Sequence, residues 1–252
     1  MGRRVTAALA FVVAALAVAG VAQGITFGQL DTTNRFPHVG GLIAEFDGEK
    51  FLICSGTLIE EDVFLTASHC TVGLDRVWVT FDPSFDEASP LLPGTAHTNP
   101  LFGSGGQSNT FDIAVVVLDD PVVGVTPARL PTANFLDSIR LKDQRFTPVG
   151  YGTVREAKKK GPHSLFFDAQ RRFADQGFRS LTKSWLNLSM NPSTGSGGTC
   201  FGDSGGPHFL GSSNLVVSIT ITGDRFCRAT DRTYRTDTDS ARAFLDDFVD
   251  LP

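Results

Sequence analysis

The chain has 252 residues, a formal net charge of −5 at pH 7, 41% hydrophobic residues and four cysteines. This length allows one compact unit or two small subdomains, because domains average roughly 150 residues. The acidic balance argues against nucleic acid as a partner, since binding phosphates requires an excess of Lys and Arg.

Residues 1–24 have the layout of a secretory signal peptide. Arg3 and Arg4 form a charged start, residues 7–22 are apolar, and small residues follow up to Gly24. The apolar run could instead be a membrane anchor, but it is shorter than the roughly 20 residues that cross a bilayer. We therefore predict cleavage after Gly24, a secreted extracellular protein, and no membrane association once the signal is removed.

The rest of the chain is predicted to be all-β with one terminal helix. In the tail, Ala243, Phe244, Phe248 and Leu251 recur near i, i+4 spacing, which indicates a C-terminal helix. Short β-rich runs separated by Gly, Pro, Asn and Asp predict strands at 52–59, 77–81, 113–118, 146–150, 186–190 and 215–221.

Three stretches are predicted to be loops. Residues 102–110 and 191–198 are dense in Gly, Ser and Asn, and each precedes a candidate catalytic residue. Residues 155–161 concentrate positive charge on an acidic chain and are typical of a solvated loop.

Four cysteines in an exported chain are expected to be paired, because the extracellular compartment is oxidising. Three pairings are possible, and the local ones join Cys54 to Cys70 and Cys200 to Cys227. No Cys/His spacing is typical of zinc and no acidic, oxygen-rich loop is typical of calcium. We predict no metal and no cofactor.

Ser204 is the candidate nucleophile. It lies in GDSGGP at 202–207, where flanking glycines let the backbone turn tightly and direct N–H groups toward a substrate carbonyl. The N–H groups of Gly202 and Ser204 are the candidate donors of an oxyanion hole. The same segment could be an ordinary turn, so the interpretation depends on partners elsewhere in the chain.

His69 and Asp112 supply those partners, a base and a carboxylate that fixes the tautomer of the base. His69 stands in TASHC at 66–70, and Asp112 opens DIAVVVL at 112–118, which is typical of a strand buried on both faces. Each residue alone could be structural. Together, the chain order His, Asp, Ser is that of the chymotrypsin type of triad and predicts peptide-bond hydrolysis.

With these motifs the chain resembles the trypsin/chymotrypsin-like serine peptidases over essentially its whole length after residue 24. TASHC and GDSGGP carry the resemblance, and Pro37, GYGT at 150–153 and Ser218 support it. The resemblance implies a secreted serine endopeptidase that acts through an acyl-enzyme on protein or peptide substrates, and we expect a monomer.

The resemblance also implies a fold of two antiparallel six-stranded β-barrels with a short C-terminal helix. Residues 25–128 would form the barrel that carries His69 and Asp112, and residues 129–252 the barrel that carries Ser204. It further implies both local disulfides, Cys54–Cys70 and Cys200–Cys227, and a hydrogen bond from Ser218 to Asp112.

In this family a new N-terminal amine pairs with the aspartate before the nucleophile. Here that pair would be Ile25 and Asp203, and a buried Asp203 carboxylate would be stranded without the amine. Because residues 22–24 suit signal peptidase, export alone could release Ile25, which predicts little or no propeptide.

The resemblance places a pocket for the substrate side chain before the cut. Gly198 stands where trypsin-like members carry an aspartate, so basic substrates are disfavoured, and Thr220 should narrow the entrance. Arg232 could reach the pocket floor and pair with an acidic side chain, or it could point to solvent, Asp231 or Asp237. The predicted substrate-binding residues are Gly198, Thr199, Ser218, Thr220 and Arg232.

Two other functions are compatible with parts of the sequence. A catalytically silent relative could serve as a binding module, because folds persist when activity is lost. A lipase or esterase would need Gly-x-Ser-x-Gly and the order Ser, Asp, His, which this chain lacks.

Overall fold

A computed structural model describes residues 24–155 and 164–252. The predicted signal peptide, except for its last residue, and most of the predicted basic loop lie outside the described residues. None of the helices in these two stretches is long and apolar enough to cross a membrane.

The first half of the chain forms a closed antiparallel barrel. It is preceded by a short turn, α1 (Gly24–Phe27), whose backbone departs from helical geometry at Ile25 and Thr26, and by a two-residue strand, β1 (Gln29–Leu30). The barrel strands follow in the spatial order β2-β3-β4-β7-β6-β5. They are β2 (Val39–Phe46), β3 (Glu49–Leu58), β4 (Val63–Thr66), β5 (Arg76–Thr80), β6 (Leu92–Thr98) and β7 (Ala114–Leu118), with helix α2 (Ser68–Thr71) after β4 and a 3₁₀ turn at Gly106–Ser108.

The second half forms another closed barrel, in the order β8-β12-β13-β16-β15-β14, with β14 returning to β8. Strand β11 extends this sheet beyond β8, and β1 pairs with β11. The elements are α3 (Phe135–Ser138), β8 (Arg145–Gly150), β9 (Val154–Arg155), β10 (Leu165–Phe166), β11 (Arg172–Phe173), β12 (Gln176–Leu181), β13 (Trp185–Ser189), β14 (Pro207–Leu210), β15 (Val216–Gly223), β16 (Thr230–Arg235) and α4 (Asp239–Leu245), with 3₁₀ turns at Leu141–Asp143 and Pro192–Thr194.

The predicted architecture of two six-stranded antiparallel barrels with a C-terminal helix is confirmed. Each of the six predicted strands overlaps an observed one, namely β3, β5, β7, β8, β13 and β15. All strands of the first barrel lie within residues 25–128 and all those of the second within 129–252. Strand β1 is an exception to this division. It precedes the first barrel in the sequence but pairs with β11, which lies beside the second barrel.

Apolar side chains of both barrels merge into one core, which explains why the two halves pack as a unit. Val115 and Phe64 on the first barrel belong to the same cluster as Phe209 and Ile219 on the second. A smaller cluster lies within the second half of the chain and includes Leu188. Burying each such side chain contributes about 1.5–3 kcal/mol.

Arg171 joins the two barrels through polar contacts. Its guanidinium is fully buried and pairs with Asp31 at 2.9 Å between Nε and Oδ2. The same group donates to the backbone carbonyl oxygens of Val39, at 2.8 Å, and Phe81, at 3.0 Å, at the ends of two strands of the first barrel. A buried charge is tolerated only when it is paired and hydrogen-bonded in this way.

Candidate active site

His69 and Asp112 are joined by two hydrogen bonds. The His69 backbone N–H donates to Asp112 Oδ1 at 2.9 Å, and His69 Nδ1 lies 2.8 Å from Asp112 Oδ2. Because a carboxylate accepts, the ring carries its hydrogen on Nδ1 and leaves Nε2 free to accept a proton. Asp112 is only 4% exposed, so the carboxylate is shielded from competing water.

Local structure fixes this pair. His69 lies in α2, which begins two residues after β4 ends, and the Cys54–Cys70 disulfide ties the helix to β3. Asp112 stands two residues before β7. The Ser68 hydroxyl donates to the carbonyl of Ile113 at 2.7 Å and so holds the two segments together.

The loop that carries Ser204 packs directly on the first barrel. Gly205 has φ +77°, a conformation that glycine adopts at no steric cost, and a Cβ at this position would lie 2.8 Å from the Ala67 nitrogen. The Ser55 backbone N–H donates to the Ser204 carbonyl at 2.9 Å. Ser204 therefore sits beside the segment that presents His69.

The side chains of Ser204 and His69 are not joined in the structure. Among the hydrogen bonds of the described residues, none links the Ser204 hydroxyl to the His69 ring. Catalytic hydrogen bonds are often long in ligand-free enzymes and tighten with substrate. The structure thus brings the Ser204 segment close to the segment that carries His69 without a hydrogen bond between the two side chains.

The backbone N–H groups of Gly202 and Ser204 are the candidate donors of the oxyanion hole. Within residues 24–155 and 164–252, neither the Gly202 nor the Ser204 N–H donates to a protein acceptor. The peptide before Gly202 is fixed, because the Thr153 N–H donates to the Phe201 carbonyl at 2.7 Å. In a trans peptide the N–H points away from the C=O, so this bond also fixes the direction of the Gly202 N–H.

Asp203 is a fully buried carboxylate without an ion-pair partner among the described residues. It accepts from the Gly152 N–H and the Cys200 N–H, both at 2.8 Å. Burial raises the pKa of Asp203 to about 7, although these two bonds oppose the shift. A side chain at Gly150 or Gly152 would overlap the carboxylate, which explains the glycines of GYGT.

The segment that begins at Ile25 is inserted next to the nucleophile loop. Ile25 is 1% exposed. Thr26 forms an isolated antiparallel bridge with Gly198, and its hydroxyl donates to the Cys227 carbonyl at 2.8 Å. The Cys200–Cys227 disulfide closes the same region.

A cavity of about 130 Å³ opens beside Ser204. Of the predicted substrate-binding residues, Thr199 and Thr220 line it, whereas Gly198, Ser218 and Arg232 do not. Its remaining wall is formed by Cys200, Phe201, Ile221, Thr222, Gly223, Asp224, Arg225 and Cys227.

Gly198 packs against Met190 and is not part of the cavity wall. The Met190 side chain is fully buried, and a Cβ at Gly198 would overlap its Cβ, Cγ and Sδ atoms. Met190 was not recognised in the sequence, because an apolar residue at the end of a predicted strand is typical of core.

The predicted position of Arg232 in the pocket floor is wrong. Its guanidinium lies 4.1 Å from the ring centroid of Trp185, and Nη2 donates to the Gln107 carbonyl at 3.0 Å. Side chains alternate along β16, so Arg232 shares a face with Tyr234, which also packs on Trp185. The residue that suggested acidic substrates is therefore held against the loop before Asp112.

Ser218 also departs from the contact that the resemblance implies. Its hydroxyl oxygen lies 2.8 Å from Thr233 Oγ1, which in turn lies 2.8 Å from the Leu186 carbonyl oxygen. Within the described part of the chain it makes no hydrogen bond to Asp112. Strand β15 directs the side chain toward β16 instead.

Comparison with solved structures identifies the class of fold. The chain is similar to a structure titled HL collagenase, with a TM-score of 0.67, 18% identity and coverage of 87% of this chain and 96% of that one. It is also similar to neuropsin, a serine protease expressed in the limbic system of mouse brain, with a TM-score of 0.68, 21% identity and coverage of 89% and 100%. The two barrels thus have the chymotrypsin fold.

Comparison with sequences identifies the family. A family model described as Trypsin matches residues 25–244, so the chain belongs to the trypsin family and is a serine endopeptidase. A curated trypsin from Saccharopolyspora erythraea is 26% identical over 190 residues, which cover 72% of this chain and 79% of the relative.

Proposed function

We propose that this chain is a secreted endopeptidase that hydrolyses peptide bonds through Ser204, His69 and Asp112. The observation that carries the proposal is the doubly hydrogen-bonded His69–Asp112 pair beside a serine loop with two free backbone N–H groups. Base, orienting carboxylate and oxyanion donors are the three requirements of acyl transfer by a serine.

In the first half of the reaction, Ser204 Oγ attacks the substrate carbonyl carbon and its proton passes to His69 Nε2. Asp112 stabilises the imidazolium that forms. The carbonyl oxygen becomes an oxyanion, which accepts hydrogen bonds from the Gly202 and Ser204 N–H groups. The tetrahedral intermediate collapses, and His69 returns the proton to the leaving amine, so that an acyl-enzyme remains.

In the second half, a water molecule replaces the amine. His69 takes a proton from the water as its oxygen attacks the acyl carbon, and the oxyanion again faces Gly202 and Ser204. Collapse breaks the ester bond, returns the proton to Ser204 and releases the new carboxylate. The same groups therefore serve both steps, as microscopic reversibility requires.

The proposal is tested with the secreted chain and its Ser204→Ala variant. We expect the wild-type protein to cleave a casein substrate and to react with a fluorophosphonate probe at Ser204, and the variant to do neither. Correctly processed wild-type protein that neither cleaves nor reacts would contradict the proposal and favour the silent binding module.

We also propose that the free amine of Ile25 pairs with Asp203 in the active enzyme. A buried carboxylate whose pKa is raised to about 7 is at an energetic disadvantage when ionised, and an ammonium would remove that disadvantage. The burial of Ile25 and the bridge from Thr26 to Gly198 support insertion of this segment. N-terminal sequencing of active protein should give Ile25, and any other start would contradict this.

For specificity, we propose small, uncharged side chains before the cut. A cavity of about 130 Å³ leaves little room for aromatic or long basic side chains. Its wall includes both an acidic residue, Asp224, and a basic one, Arg225, so net attraction for one charge is small. Alanine, serine and threonine are the side chains that fit best.

We also propose that the enzyme is secreted and acts as a monomer. The signal-like start and the two disulfides support secretion into an oxidising compartment. The substrates are proteins or peptides, and the enzyme acts as a monomer. A culture that retains the protein inside the cell, or a dimer in sedimentation analysis, would contradict these two points.

A further inference from the structure

One side chain of the first barrel reaches the loop that carries the proposed oxyanion hole. Ser55 lies on β3 and is fully buried. Its hydroxyl donates to the carbonyl of Gly202 at 3.0 Å and accepts from the Tyr151 N–H, also at 3.0 Å. Its own backbone N–H donates to the Ser204 carbonyl at 2.9 Å. Ser55 thus contacts both backbone segments that frame the nucleophile.

The direction of the Ser55 hydroxyl is determined by these partners. A serine hydroxyl has one hydrogen to donate, and here the Tyr151 N–H can only be a donor. The hydroxyl must therefore give its hydrogen to the Gly202 carbonyl. Since Ser55 is buried, water does not compete for either bond, and a low local dielectric strengthens both.

Both peptide planes that flank Gly202 are fixed by such bonds. On one side the Thr153 N–H holds the Phe201 carbonyl, and on the other Ser55 holds the Gly202 carbonyl. Gly202 has φ +94°, and a glycine without these bonds would be free to rotate. Fixing both planes fixes the Gly202 dihedral angles and so the aim of its free N–H.

We propose that Ser55 is a positioning residue that preorganises the oxyanion hole of this enzyme. The inference rests on the proposed role of the Gly202 N–H. Donors that are already aimed cost no reorganisation when charge develops on the carbonyl oxygen. Loss of the Ser55 hydroxyl should therefore weaken binding of the transition state and leave binding of the ground state unchanged.

The test compares Ser55→Ala with Thr57→Val. Thr57 lies on the same strand, is also buried, and donates through its hydroxyl to the His38 carbonyl at 3.0 Å. Both variants lose one buried hydroxyl of β3, but only Ser55→Ala touches Gly202. Steady-state hydrolysis of an acetylated tripeptide p-nitroanilide ending in alanine gives kcat and KM. Circular dichroism establishes a temperature at which each variant is folded.

We expect kcat of Ser55→Ala to fall by about tenfold to a hundredfold at unchanged KM, less than the loss of a whole oxyanion donor. Thr57→Val should keep the wild-type kcat. An alanine-ended peptide aldehyde, which forms a tetrahedral adduct, should bind Ser55→Ala more weakly in the same proportion. The matched peptide alcohol, which forms no adduct, should bind both proteins equally.

A folded Ser55→Ala enzyme with wild-type kcat and aldehyde affinity would overturn the inference and leave the proposed function intact. If Ser55→Ala does not fold, Ser55→Gly removes the same hydroxyl and is measured in the same way, with the same two outcomes. A wild-type chain that neither hydrolyses the substrate nor labels with a fluorophosphonate would overturn both.

Discussion

Met190 occupies the space that a side chain at Gly198 would need. The identities of residues 198 and 190 therefore depend on each other, because a glycine at 198 leaves the space that the buried methionine at 190 occupies. The methyl carbon of Met190 would lie 3.5 Å from a Cβ at Gly223, and Gly223 lines the cavity beside Ser204. We therefore propose that Met190 limits the depth of this cavity from behind its wall.

Shortening Met190 should deepen the pocket. We expect Met190→Ala to raise kcat/KM for leucine before the cut relative to alanine, by about tenfold or more, because each added methylene in an apolar pocket changes discrimination by about 1–3 kcal/mol. Matched peptide p-nitroanilides that differ only in this residue measure the ratio.

The matched control for Met190→Ala is Leu188→Ala. Leu188 is equally buried but belongs to the smaller apolar cluster, which does not include Met190. Leu188→Ala should lower the free energy of unfolding by about 2–5 kcal/mol, as core truncations do. It should not alter the ratio of kcat/KM for leucine and alanine substrates. An unchanged ratio in Met190→Ala would refute the role of Met190.

Removing the charge of Asp112 should leave binding intact and abolish most of the rate. In Asp112→Asn the side-chain NH₂ would face the ring, so His69 would have to protonate on Nε2 and lose its function as a base. We expect kcat at neutral pH to fall by about 10⁴-fold with KM little changed.

Asp119→Asn is the control for Asp112→Asn. Asp119 forms an ion pair with Arg76 on the surface, and both side chains are about half exposed, so its loss should alter activity by no more than about twofold. Stopped-flow hydrolysis of an activated ester follows acylation directly. An Asp112→Asn enzyme with a near-normal acylation rate would contradict the assigned roles.

Sequence reasoning succeeded where function and backbone geometry impose a particular residue. Ser204, His69 and Asp112 were selected because acyl transfer requires those chemical groups; their segments meet in the fold, and their catalytic roles stay a prediction. The tight turn predicted at Gly202 and Gly205 is observed, since both residues have a positive φ, which few residues other than glycine adopt. Short β-rich runs predicted an all-β chain, and the family resemblance implied the two barrels.

It failed where the direction of a side chain decides the outcome. The contacts of Arg232 are set by the register of β16 with β13 and β15, and a bulge between Thr220 and Thr222 shifts the pairing with β15. Ser218 binds Thr233 rather than Asp112 for a similar reason. Such contacts depend on pairing between distant segments, which single-chain patterns do not report.

The position of Arg232 leads to a negative prediction. Because its guanidinium stacks on Trp185 and binds the Gln107 carbonyl, it cannot attract an acidic substrate side chain in the cavity. Arg232→Gln should leave the ratio of kcat/KM for aspartate and alanine substrates within about twofold of wild type, as for substitutions outside a binding site. A selective loss of aspartate cleavage would restore the acidic preference.

The Asp203 carboxyl should make stability depend on pH in a chain whose Ile25 nitrogen is still in a peptide bond. Burial raises the pKa of Asp203 from 3.8 to about 7, so the folded state binds a proton more tightly than the unfolded state. The stabilisation is complete below pH 4 and is lost as the pH rises to about 7. Its slope is at most about 1.4 kcal/mol of unfolding free energy per pH unit.

This prediction is measured by urea unfolding between pH 4 and 8 on a chain that begins at Gly24 and on its Asp203→Asn variant. The variant lacks the titrating group, so the difference between the two chains should carry the slope attributed to Asp203. In a chain that begins at Ile25, the ammonium favours the ionised carboxylate, and the fall in stability should disappear. Equal pH profiles for the chains beginning at Gly24 and Ile25 would mean that the amine and Asp203 do not interact.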